Sequence, residues 1–134
     1  MEIVKITYCG NLRTESVHLK SGEVVLSDAP LDNNGKGAAF SPTDLLCTSL
    51  GACMLTIMGM VADKNNLNIT GTSIAISKIM ASEPRRVIEI ILQFQMPANN
   101  YSEKEKQLLE NAAITCPVAK SLNPEIKQTL ILNF

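Results

Sequence analysis

Tryptophan is absent from this chain of 134 residues, and aromatic residues together make up 4% of it. So few rings exclude a platform on which nucleic-acid bases would stack. Charge of one sign is also lacking. Twelve Lys and Arg face 13 Asp and Glu, a net charge of −1, so no basic footprint for a phosphate backbone is present. Histidine occurs once, at His18, and no C-x-x-C spacing occurs. A zinc centre is therefore not expected, and neither is any other metal or cofactor site. The opening MEIVKITYCG has no basic stretch leading into an apolar one, so no signal peptide is visible. The expectation is a cytoplasmic protein whose four cysteines are reduced or redox-active, without a structural disulfide framework.

Charge is missing again between Asp44 and Asp63. Residues 41–63, SPTDLLCTSLGACMLTIMGMVAD, read as one long helix. Ser41 is a capping residue, Pro42 suits the first helical position, and Asp44 stands where a capping box places an acid. Leu46, Leu50, Cys53, Ile57 and Met60 form one apolar stripe, and Cys47, Met54, Met58 and Val61 another. Such a helix is buried on all sides or crosses a bilayer. Its flanks carry no Lys/Arg cluster and no Trp or Tyr, and it includes Thr48, Ser49, Gly51, Thr56 and Gly59. A core helix is expected, without a membrane.

The whole chain is 46% apolar, enough for a core, and its remaining segments supply strands for that helix to cover. Alternation predicts strands over 3–8, 14–20 and 23–27, with residues 11–13 as a turn. The Gly/Asn/Asp-rich stretch 28–37 reads as a loop. Further strands are expected over 68–80 and 86–96, paired as an antiparallel hairpin. In the second, Ile88, Ile90, Leu92, Phe94 and Met96 share one face. Ser102 and Glu105 predict a capped helix with Leu108, Leu109, Ala112 and Ala113 inward. Cys116-Pro117 interrupts it, a short helical turn follows, and residues 127–134 form a last strand. The order is βββ-α-ββ-αα-β, one α+β domain over 1–134.

Two cysteines carry potential chemistry. Cys53 lies mid-helix, where burial raises a thiol pKa and makes it inert, so a reactive Cys53 needs a nearby cation. Cys116 precedes Pro117 at a helix start, where backbone N–H groups favour a thiolate. Cys9 and Cys47 read as structural. Candidate counter-charges are Arg13, in the first turn, and Arg85 and Arg86, at the hairpin turn. Asp44 is either a partner for an arginine or a helix cap. His18 is on a polar face, and Asp28, Asp32 and Lys36 shape the loop before the helix.

The run SPTDLLCTSLGAC, together with TCPVAKSL, resembles the signature of the OsmC/Ohr family. SDAPLDNNGKGAAFSP and PRRV are similar to its general OsmC-like branch. The resemblance implies an intertwined homodimer around a central buried helix, and a thiol peroxidase acting on organic hydroperoxides. It implies that Cys53 is the peroxidatic thiolate, that Cys116 resolves its sulfenic acid as a disulfide, and that Arg13 steadies thiolate and peroxide. An external dithiol, such as a lipoylated protein, would restore the thiols. Family members carry a Glu that orients the arginine; here that position is Thr43. The alternative reading is therefore a redox sensor or small-molecule binding protein on the same fold, and a third is a purely structural dimeric domain.

Overall fold

The computed structural model describes residues 1–134, in two compact units, Met1–Leu46 and Cys47–Phe134. The first unit holds an antiparallel meander of β1 (Val4–Gly10), β2 (Arg13–His18) and β3 (Val24–Asp28), in that order. The turn from β1 to β2 is tight. Gly10, Asn11 and Leu12 all have positive φ, at 82°, 54° and 63°. This left-handed run is costly for Leu12, which has a Cβ. It is held by two bonds: the Leu12 N–H donates to the Tyr8 hydroxyl, and the Leu12 carbonyl accepts from the Ala29 N–H.

Two boundaries differ from the sequence expectation, and both matter for the site. Arg13 is the first residue of β2 and leaves the turn to residues 10–12. Asp28 is the last residue of β3 and is not part of the loop. The strand runs on because Phe40 returns beside it: the Asp28 N–H donates to the Phe40 carbonyl, and Ser27 bridges to Phe40 in parallel. Between them lies a one-turn 3-10 helix, Leu31–Asn33.

Helix α1 (Pro42–Lys64) begins with a reciprocal cap. The Asp44 N–H donates to Ser41 Oγ at 3.0 Å, and the Ser41 N–H donates to Asp44 Oδ2 at 2.9 Å. Two orphan N–H groups are thus satisfied, as expected from S-x-x-D. By length and composition α1 would reach across a bilayer, but one third of its apolar window is buried inside the chain.

In the second unit α1 continues beside a sheet of β4 (Ser73–Ala81), β5 (Arg86–Gln95) and β6 (Lys127–Asn133). β4 and β5 are antiparallel; β5 and β6 are parallel. A parallel pair cannot be joined by a hairpin, so the chain crosses over through α2 (Glu103–Ile114) and α3 (Pro117–Ser121). β4 starts later than the β-branched and small residues of 68–80 suggest. Residues 67–72 instead turn, with Asn68 Oδ1 accepting the Thr70 N–H and the Thr72 N–H donating to the Ile69 carbonyl. Near the hairpin turn a bulge leaves Ile88 without a partner in β4. Val87 therefore joins Ile90, Leu92, Phe94 and Met96 among the buried residues, where Ile88 had been expected.

The apolar character of α1 is not matched by burial on every side of the single chain. Cys47, Leu50, Gly51, Met54, Met58 and Ala62 are buried, whereas Met60 is 54% exposed and Ala52 and Thr56 are also exposed. The three-stranded sheet covers one face only. Contact there is close: a Cβ on Gly51 would stand 2.7 Å from the Ile76 Cδ1 methyl. The capping box of α2 is present in both directions between Ser102 and Glu105, and Leu109, Ala112 and Ala113 are its buried residues.

Leu50, wholly buried, is predicted to cost about 2–5 kcal/mol when changed to Ala, from lost burial and the cavity left behind. Urea unfolding of Leu50→Ala against the parent protein checks this, and a cost within ~0.5 kcal/mol, the range of surface positions, would remove α1 from the core.

Candidate active site

Cys116 is the N-cap of α3. Its Sγ accepts the Ala119 N–H at 3.3 Å, and Pro117 occupies the first position of the helix. The predicted placement at a helix start is therefore observed, but the expected electrostatic outcome is not. Cys116 is fully buried, and burial pushes its thiol pKa up; the Ala119 N–H pulls the other way without compensating. Cys53 pushes it further, through a side-chain hydrogen bond and through charge. The two thiols are thus neighbours, and no disulfide joins them.

The contrast between them is the reverse of the sequence expectation. Cys53, mid-helix on α1, is half-buried, while Cys116 at a helix start is the enclosed one. α1 is packed on one face, and Cys53 lies off the buried stripe of Leu50, Met54 and Met58. Its reach toward solvent follows from that position. Cys47 is buried among core residues, as expected for a small apolar side chain. Cys9 is exposed on β1 and has no core role.

Arg13 belongs to the first unit. Arg13 and Asp28 face each other across the β2–β3 ladder, so their side chains leave the same face. The guanidinium donates from Nε to Asp28 Oδ1 at 2.7 Å and from Nη2 to Oδ2 at 2.8 Å. Such a fork is short, charge-assisted and fixed in orientation. The Asp28 side chain is 3% exposed, and that of Arg13 is 38% exposed. The Arg13 hydrogen bonds hold the Asp28 carboxyl below its ordinary pKa against the opposing effect of burial, and a bond from the Ala38 backbone and the charge of Lys36 lower it further. A pocket of about 200 Å³ opens beside the pair, lined by Cys9, Gly10, Asn11, Arg13, Asp28 and Lys36.

The other candidates fall into place locally. Arg86 is exposed, and its guanidinium donates to the Ser82 and Pro84 carbonyls, closing its own turn. Arg85 is exposed at the same turn. His18 Nδ1 pairs with Ser21 Oγ at 2.6 Å on the surface. Asp44 closes the α1 cap, and Thr43 Oγ1 meets Ser41 Oγ at 3.2 Å. Asp32 sits in the 3-10 turn. No three His, Cys, Asp or Glu side chains gather closely enough to hold a metal ion.

The sequence alone assigns Asp28 to the loop, whereas it ends β3 and pairs with Arg13. The signal lay in the alternation of 23–27: extended by one residue, it sets Asp28 opposite Arg13. Because its folded pKa lies below the unfolded value near 3.9, the pair stabilises the fold above that value and loses its contribution as pH falls through the folded pKa. Asp28→Asn is predicted to be the less stable protein at neutral pH and to show a shallower loss of stability below about pH 4. Parallel acid slopes for the two proteins in pH-dependent thermal melts would contradict this.

Comparison with known proteins places these features. The family model described as OsmC-like protein matches residues 35–130. A protein from Psychrobacter arcticus 273-4, named for osmotic stress induction and detoxification response, is 47% identical, with 99% of this chain and 96% of that one covered and a TM-score of 0.96. An organic hydroperoxide resistance protein OsmC from Legionella pneumophila shares the fold at 17% identity, coverage of 100% and 97%, and a TM-score of 0.77. One from Elizabethkingia anophelis, with thiocyanate bound, does so at 16% identity, coverage of 99% and 96%, and a TM-score of 0.70. No curated protein matches the chain. With its family model spanning most of the sequence and its fold shared end to end, this chain belongs to the OsmC-like protein family.

Proposed function

We propose that the chain is a thiol-dependent peroxidase that reduces organic hydroperoxides. The observation carrying this reading is the pairing of the Cys53 and Cys116 thiols, one half-exposed and one enclosed. The Cys53 thiolate attacks the distal oxygen of R–O–O–H. The O–O bond breaks, Cys53 becomes the sulfenic acid, and the alkoxide leaves and takes a proton to become R–OH. Cys116 then attacks the Cys53 sulfur, giving a disulfide and water. Its raised pKa keeps it protonated and quiet until the sulfenic acid stands beside it. Fast resolution protects Cys53 from irreversible over-oxidation. An external dithiol, of which a lipoylated protein is one kind, reduces the disulfide and is itself oxidised to a disulfide. Arg13 is assigned to stabilise the thiolate and the departing alkoxide. The names of the Legionella and Elizabethkingia proteins support the substrate class.

The same reading makes 1–134 one functional domain, cytoplasmic, and assembled as an intertwined homodimer. Support comes from the apolar surface left uncovered in each unit. On the meander Val4, Ile6, Tyr8, Val24 and Val25 are exposed, and Met60 is exposed on α1. A second copy of this chain is the partner assigned to these residues. No nucleic acid, membrane, metal or cofactor is invoked.

The test is single-turnover consumption of cumene hydroperoxide by pre-reduced protein, followed by non-reducing peptide mapping. One equivalent consumed with a Cys53–Cys116 disulfide is expected; no consumption, with both thiols intact, would sink the reading. Cys53→Ser is expected to lose the activity entirely. Cys116→Ser is expected to complete one round and then accumulate Cys53 sulfinic acid, visible as two added oxygens in the peptide mass. Sedimentation at micromolar concentration is expected to report a dimer, and a monomer would remove the assembly from the proposal.

A further inference from the structure

We infer that Gln128 is a positioning residue: its side-chain amide holds Ala119, and with it the backbone N–H that faces the Cys116 sulfur. The inference rests on the reading that Cys116 attacks the oxidised Cys53, and it adds what keeps Cys116 aimed for that step. Every residue it uses lies within the second unit.

Gln128 breaks the pattern of its strand. β6 runs parallel to β5, with Gln128 level with Ile90, Leu130 with Leu92, and Leu132 with Phe94. Those three residues of β5 are wholly buried. Alternation puts Gln128 on the same face as Leu130 and Leu132, where an amide needs a partner. It finds one outside the sheet: Nε2 donates to the Ala119 carbonyl at 3.1 Å.

Helix α3 needs that bond. It is five residues long and none of them is buried. A helix this short does not hold itself, because few bonds offset the ordering of its first turn. The Ala119 carbonyl lies in its last turn, where no later helical N–H follows. Local bonds close part of the turn: the Lys120 N–H donates to the Cys116 carbonyl at 3.2 Å, and Ser121 Oγ donates to the Pro117 carbonyl at 2.8 Å. Gln128 adds a tie from the sheet. Ala119, so held, donates its own N–H to Cys116 Sγ at 3.3 Å. On the other side the Cys116 N–H donates to the Ala113 carbonyl, at the end of α2. The sulfur is therefore fixed between α2 and β6. The Ala119 and Val118 N–H groups favour the thiolate that must attack, in opposition to burial. The titratable group acting on Cys116 is Cys53; Lys120 on α3 and Lys127 on β6 are exposed.

A bond that only supported the fold would act on both thiols. The aromatic disulfide DTNB separates them, with Cys9→Ser as the parent because Cys9 is exposed. The Cys53 thiolate attacks DTNB and one thionitrobenzoate leaves. The Cys116 thiolate then attacks the Cys53 sulfur of the mixed disulfide, the second thionitrobenzoate leaves, and the Cys53–Cys116 disulfide forms. Absorbance follows both phases across neutral and alkaline pH, and thermal melts and cumene hydroperoxide consumption are measured on the same proteins. Gln128→Met removes the donor at similar size. Its first phase is expected within about twofold of the parent, and its second phase roughly tenfold slower at neutral pH, with the pH midpoint moved up by about half a unit. Gln128→Glu, whose carboxylate cannot donate, is expected to do the same and serves if Gln128→Met does not fold. Gln128→Lys keeps a donor and is expected to restore most of the second phase. Equal second phases in the parent and the donor-free variants, both phases slowed alike, or a Gln128→Lys protein as slow as those variants would each overturn the proposal. A Gln128-dependent second phase in a protein that leaves cumene hydroperoxide intact would instead overturn the peroxidase reading and keep the positioning role.

Discussion

The second unit depends on one packing constraint, the burial of a single face of α1 against its sheet. Leu50, Met54 and Met58 are wholly buried, as are Ile90, Leu92 and Phe94. Gly51 lets the helix approach β4 until only a hydrogen fits between it and the Ile76 methyl. Close packing of this kind fixes the helix in both rotation and height. The parallel pairing of β5 and β6 then dictates the rest. It needs a long crossover, and the crossover is α2 and α3. Cys116 stands at the joint between those two helices, where the chain turns back toward the sheet, and the joint brings it against Cys53.

Burial acts on two ionisable groups in this protein with opposite results, and the number and kind of hydrogen bonds decide which way each goes. Asp28 is nearly inaccessible, which by itself would raise its pKa. Two charge-assisted bonds from Arg13 and one from the Ala38 backbone outweigh that cost, and the carboxyl titrates low. Cys116 is equally inaccessible but receives only backbone N–H groups, from Ala119 at 3.3 Å and from Val118, on a soft, weakly accepting sulfur. Those neutral donors do not outweigh burial, and the neighbouring Cys53 thiol adds to it, so the group is held protonated. A helix start favours a thiolate only where the sulfur keeps some access to water or a full cation.

Much of the fold is legible in the sequence. The helix start at Ser41–Asp44, the capping box at Ser102–Glu105, the N-cap role of Cys116 and the order of elements were all written in local chemistry. Each depends on residues within about four positions of one another, the range over which caps act. The errors were of another kind. β4 starts later than expected because Ile69, Thr70 and Thr72 are β-branched yet the chain turns around Asn68 and Thr72. The inward face of β5 was misjudged at one end because the bulge at Ile88 is set by the partner strand. In the single chain α1 is buried on one face only, because an apolar residue does not itself say what covers it.

Residue order alone determined which segments are helices and strands, where the helices begin, and that two cysteines stand on separate helices. Tertiary structure decided which cysteine is enclosed, that the two thiols meet, and that Asp28 and not a helix-cap acid takes the Nε–Nη2 edge of Arg13. The division has a physical cause. Caps and alternation act through hydrogen bonds and side-chain periods a few residues long, which a sequence displays directly. Solvent access and pairing across a ladder depend on strand register and crossover, which bring residues 15 or more positions apart into contact, as between Arg13 and Asp28.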